Sequence, residues 1–302
     1  TAALLVPILA VVGKSMTTEL APIGGVACLL IGIAVDKGYI QNVDQKVLDF
    51  FPDYVVKRGE KTIYDVTLNH LLTMTAPYKY RSEPWKKVCT SDDWTKAALD
   101  LLGGRSGLTG TFKYATLGIQ ILTGVIENSS GLNCIDFANQ YLFKPLDIPD
   151  HIPHGDSSKE DQLNYLMSKA PRKNEWYSDP QGRVTAGWGL ALSACDLAKL
   201  GTLVLNGGLY HQTRVVSEQW IAQMTAPRLQ LDERFGNMEY GYLWYKPCKN
   251  KPVVAAIGDG GNIIYANLDN HISVGVTGTF KVRIYDRVEF IESRVFPVIM
   301  GE

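Results

Sequence analysis

The sequence predicts an α+β fold, and three observations carry that reading. Helical patterns crowd the middle of the chain, short runs rich in Val, Ile and Tyr crowd residues 240–277, and the two kinds do not alternate. Alternating strand–helix units would signal a parallel sheet; segregated runs signal helices packed against an antiparallel sheet. No internal repeat is visible.

Residues 1–12 are almost wholly apolar. A membrane-spanning helix needs about 20 such residues, and the segment lacks the basic flank of a secretory leader. Its valines favour a buried first strand. Residues 26–37 (VACLLIGIAVDK) read as a buried helix closed by Gly38. Residues 67–75 (TLNHLLTMT) read as a short helix capped by Thr67, with Leu71, Leu72 and Met74 inward and His70 packing or capping. Residues 77–90 are aromatic and basic, with Tyr78, Tyr80 and Trp85 expected to wrap a pocket rim. Residues 91–102 read as an amphipathic helix that starts with Ser91 and two aspartates.

The glycine-rich loop 103–110 (GGRSGLTG) lacks the spacing of a phosphate loop. Helical patterns follow at 117–128 and 133–143, then a polar, irregular stretch with short helices at 149–179, then helices at 194–206 and 217–224. The runs 240–245, 253–257, 263–267 and 272–277 read as strands of a meander, and 286–300 as a closing helix. On this reading residues 1–302 form one domain, with a helical subregion over about 60–225 and the C-terminal strands and closing helix over 240–302.

Composition narrows the function classes. Apolar residues make up 46% and charged residues 20%, and the net charge is -1. Bulk electrostatics therefore suggest neither a nucleic-acid nor a membrane-surface partner. The five cysteines (Cys28, Cys89, Cys134, Cys195, Cys248) form no CxxC pair, so a zinc knuckle or disulfide framework is not expected. A reducing, cytoplasmic compartment fits them better than a secreted one. His151 and His154 stand three apart without an evident third ligand, so no metal site is expected. Trp176, Tyr177 and Trp188 are candidates for a cleft lining or for core. Arg81, Arg105 and Arg183 are candidates to hold a substrate carboxylate, with surface placement as the default.

Six blocks have a further meaning: LLIGIAVDKGYI (29–40), VDQKVLDFFPDY (43–54), HLLTMTAPY (70–78), DFANQYLFKPLDI (136–148), GWGLALSACDLAKLGTLVLNGG (187–208) and YGYLWY (240–245). In order and spacing they resemble the β-lactamase-related serine hydrolases, which include class C β-lactamases, penicillin-binding proteins and family VIII carboxylesterases. The resemblance implies a β-lactamase/transpeptidase-like fold, an antiparallel sheet flanked by helices with an inserted helical region. It also implies an acyl-enzyme chemistry: a helix N-terminal serine, a lysine at i+3 on the same face, a tyrosine motif and a late strand bordering the oxyanion hole.

Carried over by that resemblance, Tyr114-Ala115-Thr116 matches the tyrosine motif, with Tyr114 as proton-transfer partner and Thr116 in place of the usual Asn or Ser. Ala256-Ile257-Gly258, followed by Gly260 and Gly261, matches the late strand; Ala256 stands where relatives carry Lys, His or Trp. The serine and lysine positions fall on Ala21 and Gly24, and neither residue can do the chemistry. No serine in the chain has a lysine at i+3, and Ser15, preceded by Lys14, is the remaining nucleophile candidate. Two functions are therefore expected. One is a serine acyl hydrolase acting on a small-molecule ester, amide or lactam, which needs no cofactor. The other is a non-catalytic relative that keeps the cleft to bind a ligand. Oligomeric state is not legible.

Overall fold

A computed structural model describes residues 8–12, 22–156, 158–168, 172–247, 249–258, 261–278 and 286–301. Strand β1 (Ile8–Val12) is followed by helix α1 (Ile23–Asp36). A helical stretch then runs through α2 (Leu68–Leu72), α3 (Trp85–Cys89), α4 (Trp94–Leu99), α5 (Thr116–Ser130) and α6 (Cys134–Ala138). Strands β2 (Ile152–Gly155) and β3 (Glu175–Ser178) bracket α7 (Lys159–Met167) and pair in parallel. Helix α8 (Ala194–Leu205), the hairpin of β4 (Leu209–Tyr210) and β5 (Thr213–Arg214), and α9 (Glu218–Thr225) come next. The strands β6 (Leu229–Gln230), β7 (Glu239–Tyr240), β8 (Tyr245–Lys246), β9 (Val253–Ile257), β10 (Ile263–Asn267) and β11 (Ile272–Val276) follow. Helices α10 (Asp286–Phe290) and α11 (Phe296–Met300) close the fold, joined by a π-helical turn.

The main sheet has the strand order β1-β11-β10-β9-β8-β7-β6. Its centre is the expected meander: Ile264 pairs with Ala256 on one side and with Gly275 on the other. Ala256, Ile264, Ser273 and Gly275 share one face, and helices α1 and α8 cover it. A Cβ on Gly201 of α8 would lie 2.2 Å from Ser273 Oγ, and one on Gly275 would lie 2.1 Å from the Ala194 carbonyl oxygen. The buried Ser273 hydroxyl donates to the Ala198 carbonyl at 2.7 Å, which keeps the polar group satisfied at that approach. On the opposite face Tyr265 meets Phe296 edge-on at 5.8 Å and bonds Glu292, so the closing helix covers that side. Burial on both faces explains why β9 to β11 read as continuous apolar runs without alternation.

Several expectations are corrected. Helix α1 begins three residues before Val26, because Pro22 is tolerated at the N-cap and Gly24 and Gly25 permit close packing. The 91–102 helix shrinks to α4: Asp93 caps it by accepting from Lys96 N at 2.8 Å, while the Ser91 hydroxyl donates back to the Val88 carbonyl. The single run 240–245 is two strands. Leu243 at φ +56° and a hydrogen bond from Gly241 N to the Trp244 carbonyl turn the chain between them. The stretch 149–179 contains a parallel strand pair as well as α7, in segments too short to show a period. Strand β1 runs parallel to β11, Ile8 opposite Ile272, which makes an otherwise antiparallel sheet mixed at one edge.

Helix α1 also presses on α9. A Cβ on Gly32 would sit 2.2 Å from the Trp220 ring, whose Nε1 donates to the Cys28 carbonyl at 3.2 Å. Overpacking of this kind costs about 1–3 kcal/mol or more, against a helix-propensity gain of about 1 kcal/mol for Gly→Ala. Gly32→Ala is therefore expected to lower the urea midpoint at an unchanged slope. An unchanged midpoint would mean that Trp220 can shift at no cost.

Candidate active-site cleft

The first turn of α1, the start of α5 and the end of β9 meet at one place. Gly25 lies against β9: a Cβ there would be 2.5 Å from Ala256 Cβ and 3.2 Å from Trp244 Nε1. Trp244 Nε1 donates to the Gly25 carbonyl at 3.4 Å. Gly24, half-buried, faces α5 and the β7–β8 turn, where a Cβ would meet Ile119 Cδ1 at 3.3 Å and Leu243 Cβ at 3.7 Å. Leu243 is pinned by its own N–H, which donates to the Leu72 carbonyl at 2.9 Å. The position matched to the lysine thus has no side chain, and two aliphatic side chains wall the space beside it.

Tyr114 stands just before α5 and is 46% exposed. The residues around it are held on every side. Phe112 meets Phe235 and Tyr240 edge-on at 5.2 and 5.1 Å. Lys113 N donates to the Met74 carbonyl at 2.8 Å. The Lys113 ammonium donates to the Tyr80 carbonyl at 2.5 Å and lies 4.4 Å from the Tyr80 ring centroid. Burial pushes that ammonium's pKa down, with Glu83 opposing. Leu117 N donates to Glu83 Oε1 at 2.7 Å, and the Tyr80 hydroxyl donates to the same oxygen at 3.3 Å. Tyr240 and Tyr245 meet edge-on at 4.7 Å behind this segment, and burial, aided by the nearby Tyr114 phenol, drives both their pKa values far up. Those two hydroxyls stay protonated at any ordinary pH.

On the late strand, Ala256 is buried beneath Gly25. Gly258 N donates to the Asn262 carbonyl at 2.9 Å, and Asn262 Oδ1 accepts from Gly278 N at 3.1 Å, so Asn262 ties the turn after β9 to the end of β11. Gly261 takes φ +103°, a conformation open to glycine. Thr116 opens α5 with its methyl against Gly187, where a Cβ would be 2.3 Å away. The structure therefore sets the first turn of α1 against α5 through Gly24 and against Ala256 through Gly25; Tyr114 lies just before α5 and Gly258 just after β9. Ser15, Ala21 and Gly260 lie outside the described residues.

Other candidates resolve into structure. Trp176, Tyr177 and Trp188 are buried, and Trp188 packs 5.2 Å from Trp94 within the core. Arg183 pairs with Glu127 at 2.5 Å and Asp93 at 3.5 Å, joining α5 to the start of α4; Arg81 and Arg105 are exposed. The pocket rim divides, with Tyr78 buried and Trp85 partly exposed. His70 Nδ1 accepts from Thr67 N at 3.0 Å, completing a capping box on α2. His151 turns its ring nitrogens to the Pro149 and Ala191 carbonyls, whereas His154 stacks on Tyr165 near Asp156 and Glu175, so the two histidines share no ligand set. Among the described residues no group of three His, Cys, Asp or Glu is placed to hold a metal, and no helix is long and apolar enough to cross a membrane.

Sequence reasoning missed Glu83 and Lys113. Lys113 was signalled by its place beside Tyr114. Glu83 carried no local sign, because its partner on α5 lies 34 residues away.

With this geometry, the chain has the fold of the serine β-lactamases and penicillin-binding proteins. It superposes on a penicillin-binding-protein homologue from Caulobacter crescentus with a TM-score of 0.64 at 19% identity, covering 92% of this chain and 83% of the other. A family VIII carboxylesterase matches with a TM-score of 0.63 at 18% identity over 93% and 83%. A class C β-lactamase from Rhodobacter sphaeroides matches with a TM-score of 0.64 at 16% identity over 95% and 87%. Residues 25–284 match the Beta-lactamase family model, and the chain belongs to that family of serine hydrolases. Among curated proteins it is 25% identical over 235 residues to the 6-aminohexanoate-dimer hydrolase of Paenarthrobacter ureafaciens, spanning 75% of this chain and about half the length of that relative (50%).

The loop leading into Phe112 is anchored by one carboxylate. Glu60 Oε1 accepts from Gly104 N and Ile63 N, both at 3.2 Å, and Oε2 lies 3.3 Å from the Lys79 ammonium. Gly103, at φ +92°, sits on that carboxylate with no room for a Cβ. Burial raises the Glu60 pKa, but the two N–H groups and Lys79 together outweigh it, so the net shift is downward. A depressed carboxylate pKa contributes stability that is present above the unfolded value of about 4.3 and is lost as pH falls through the folded value. Glu60→Gln should lower Tm at pH 7 and reduce the fall of Tm on acidification below that value. An identical acid slope in both proteins would refute the role.

Proposed function

We propose that this chain uses the cleft between α1, α5 and β9 to bind a small acyl compound, an ester, amide or lactam, without a Ser–Lys pair at the start of α1. The carrying observation is Gly24. A lysine in that position would hold or accept the nucleophile's proton, yet the residue has no side chain and Ile119 and Leu243 line the adjoining space. Tyr114 supports the binding role. Its partly exposed ring offers a hydroxyl that can donate or accept a hydrogen bond. Three buried, unpaired thiols, Cys28, Cys89 and Cys134, favour a reducing, cytoplasmic setting.

A second reading is favoured by membership of a serine hydrolase family. In it Ser15 attacks the acyl carbon, Tyr114 passes the proton to the leaving group, and water releases the acyl-enzyme. No cofactor enters either reading.

Turnover of p-nitrophenyl butyrate and nitrocefin, labelling by a fluorophosphonate, and quenching of tryptophan fluorescence by benzylpenicillin separate the two. The binding reading expects no turnover above that of Ser15→Ala and a saturable quench. Tyr114→Phe should weaken that quench roughly two- to tenfold, the value of one hydrogen bond. Turnover lost in both Ser15→Ala and Tyr114→Phe would install the hydrolase in its place, and the absence of any saturable quench would remove the binding reading.

A further inference from the structure

We infer that Glu83 is a positioning residue for the cleft: it caps α5 from a distance, ties the Tyr80 segment to that helix, and so holds Tyr114 between the two. The inference rests on the reading of Tyr114 as the cleft's working hydroxyl.

The first turn of a helix leaves backbone N–H groups without intrahelical partners, and a side-chain oxygen at the N-cap ordinarily takes one of them. Helices α4, α7, α8 and α9 follow that rule with Asp93, Ser158, Ser193 and Ser217. Helix α5 does not. Its N-cap Ala115 has the extended backbone of a cap, φ -149° and ψ 103°, but no side-chain acceptor. The acceptor comes instead from Glu83, at 2.7 Å from Leu117 N. A carboxylate there also faces the positive end of the helix dipole.

The same carboxylate oxygen receives the Tyr80 hydroxyl, and the Tyr80 carbonyl receives the Lys113 ammonium. A closed circuit results, running from Glu83 to Leu117 on one side of Tyr114 and from Tyr80 to Lys113 on the other. With a local serine cap, the first turn of α5 would keep its order whatever the 78–85 segment did. With the cap moved to Glu83, the order of that turn depends on the segment being seated. Trp85, partly exposed at the head of α3, follows two residues later.

The test needs no ligand, so its failure is distinguishable from failure of the binding reading. Amide hydrogen exchange is followed at residues 116–118, and 3-fluorotyrosine incorporation reports Tyr114 by 19F NMR with the exposed Tyr64 as an internal control. Glu83→Ala should speed exchange at 116–118 roughly fivefold, the typical effect of a lost cap, and shift or broaden the Tyr114 resonance while leaving Tyr64 unchanged. Glu83→Gln, which keeps an acceptor oxygen, should stay near wild type. Ala115→Ser in the Glu83→Ala background supplies a local cap and should restore slow exchange and the Tyr114 signal. An unaltered Tyr114 resonance in Glu83→Ala, equal changes at Tyr64, or no recovery in the double variant would each overturn the inference.

Discussion

The fold depends on how closely α1 approaches its neighbours. Gly25 lets the helix backbone reach Ala256 of β9, and Trp244 seals that contact with an indole N–H on the Gly25 carbonyl. Gly32, two turns on, receives the Trp220 ring, and Gly24 faces Ile119 of α5. These approaches admit no Cβ at positions 25 and 32. They place the first turn of α1 at the junction of sheet and helices. Steric closeness, more than any polar network, decides where that turn sits.

The wall opposite α1 is built differently. Aromatic packing and charged groups hold Tyr114 where backbone order alone would not. Phe112 inserts between Phe235 and Tyr240, while Lys113 and Glu83 clamp the flanking backbone through Tyr80. Upstream, Glu60 secures the glycine-rich loop that delivers the chain to Phe112. The fold thus joins a rigid wall at α1 to a clamped wall at α5.

Much of the architecture was legible in the residues. The bounds of β9 and β10 follow from apolar runs ended by Gly, Pro, Asn and Asp. Helix α8 matches the helical pattern at 194–206, and the structure adds that Ser193 caps it in a box with Asp196. Tyr114 and the glycines after β9 were assigned by resemblance, from their order relative to the family-like blocks. What misled was local and short. Ser91 looked like a cap but bonds backward to Val88. Residues 240–245 looked like one strand because a turn at Leu243 leaves no mark in composition. Trp176 and Tyr177 looked available to a cleft, yet a ring's exposure depends on what the rest of the chain lays over it.

By itself the sequence determined the α+β class, the extended apolar strands and the family blocks, since each is written in residue type and spacing. Only the tertiary structure decided that Ile119 and Leu243 wall the space beside Gly24, that both faces of β9 to β11 are covered, and that Glu83 caps a helix beginning 33 residues later at Thr116. The reason is physical. Period and propensity act over a few residues, whereas a close approach or a borrowed cap joins groups whose only relation is that folding brings them together.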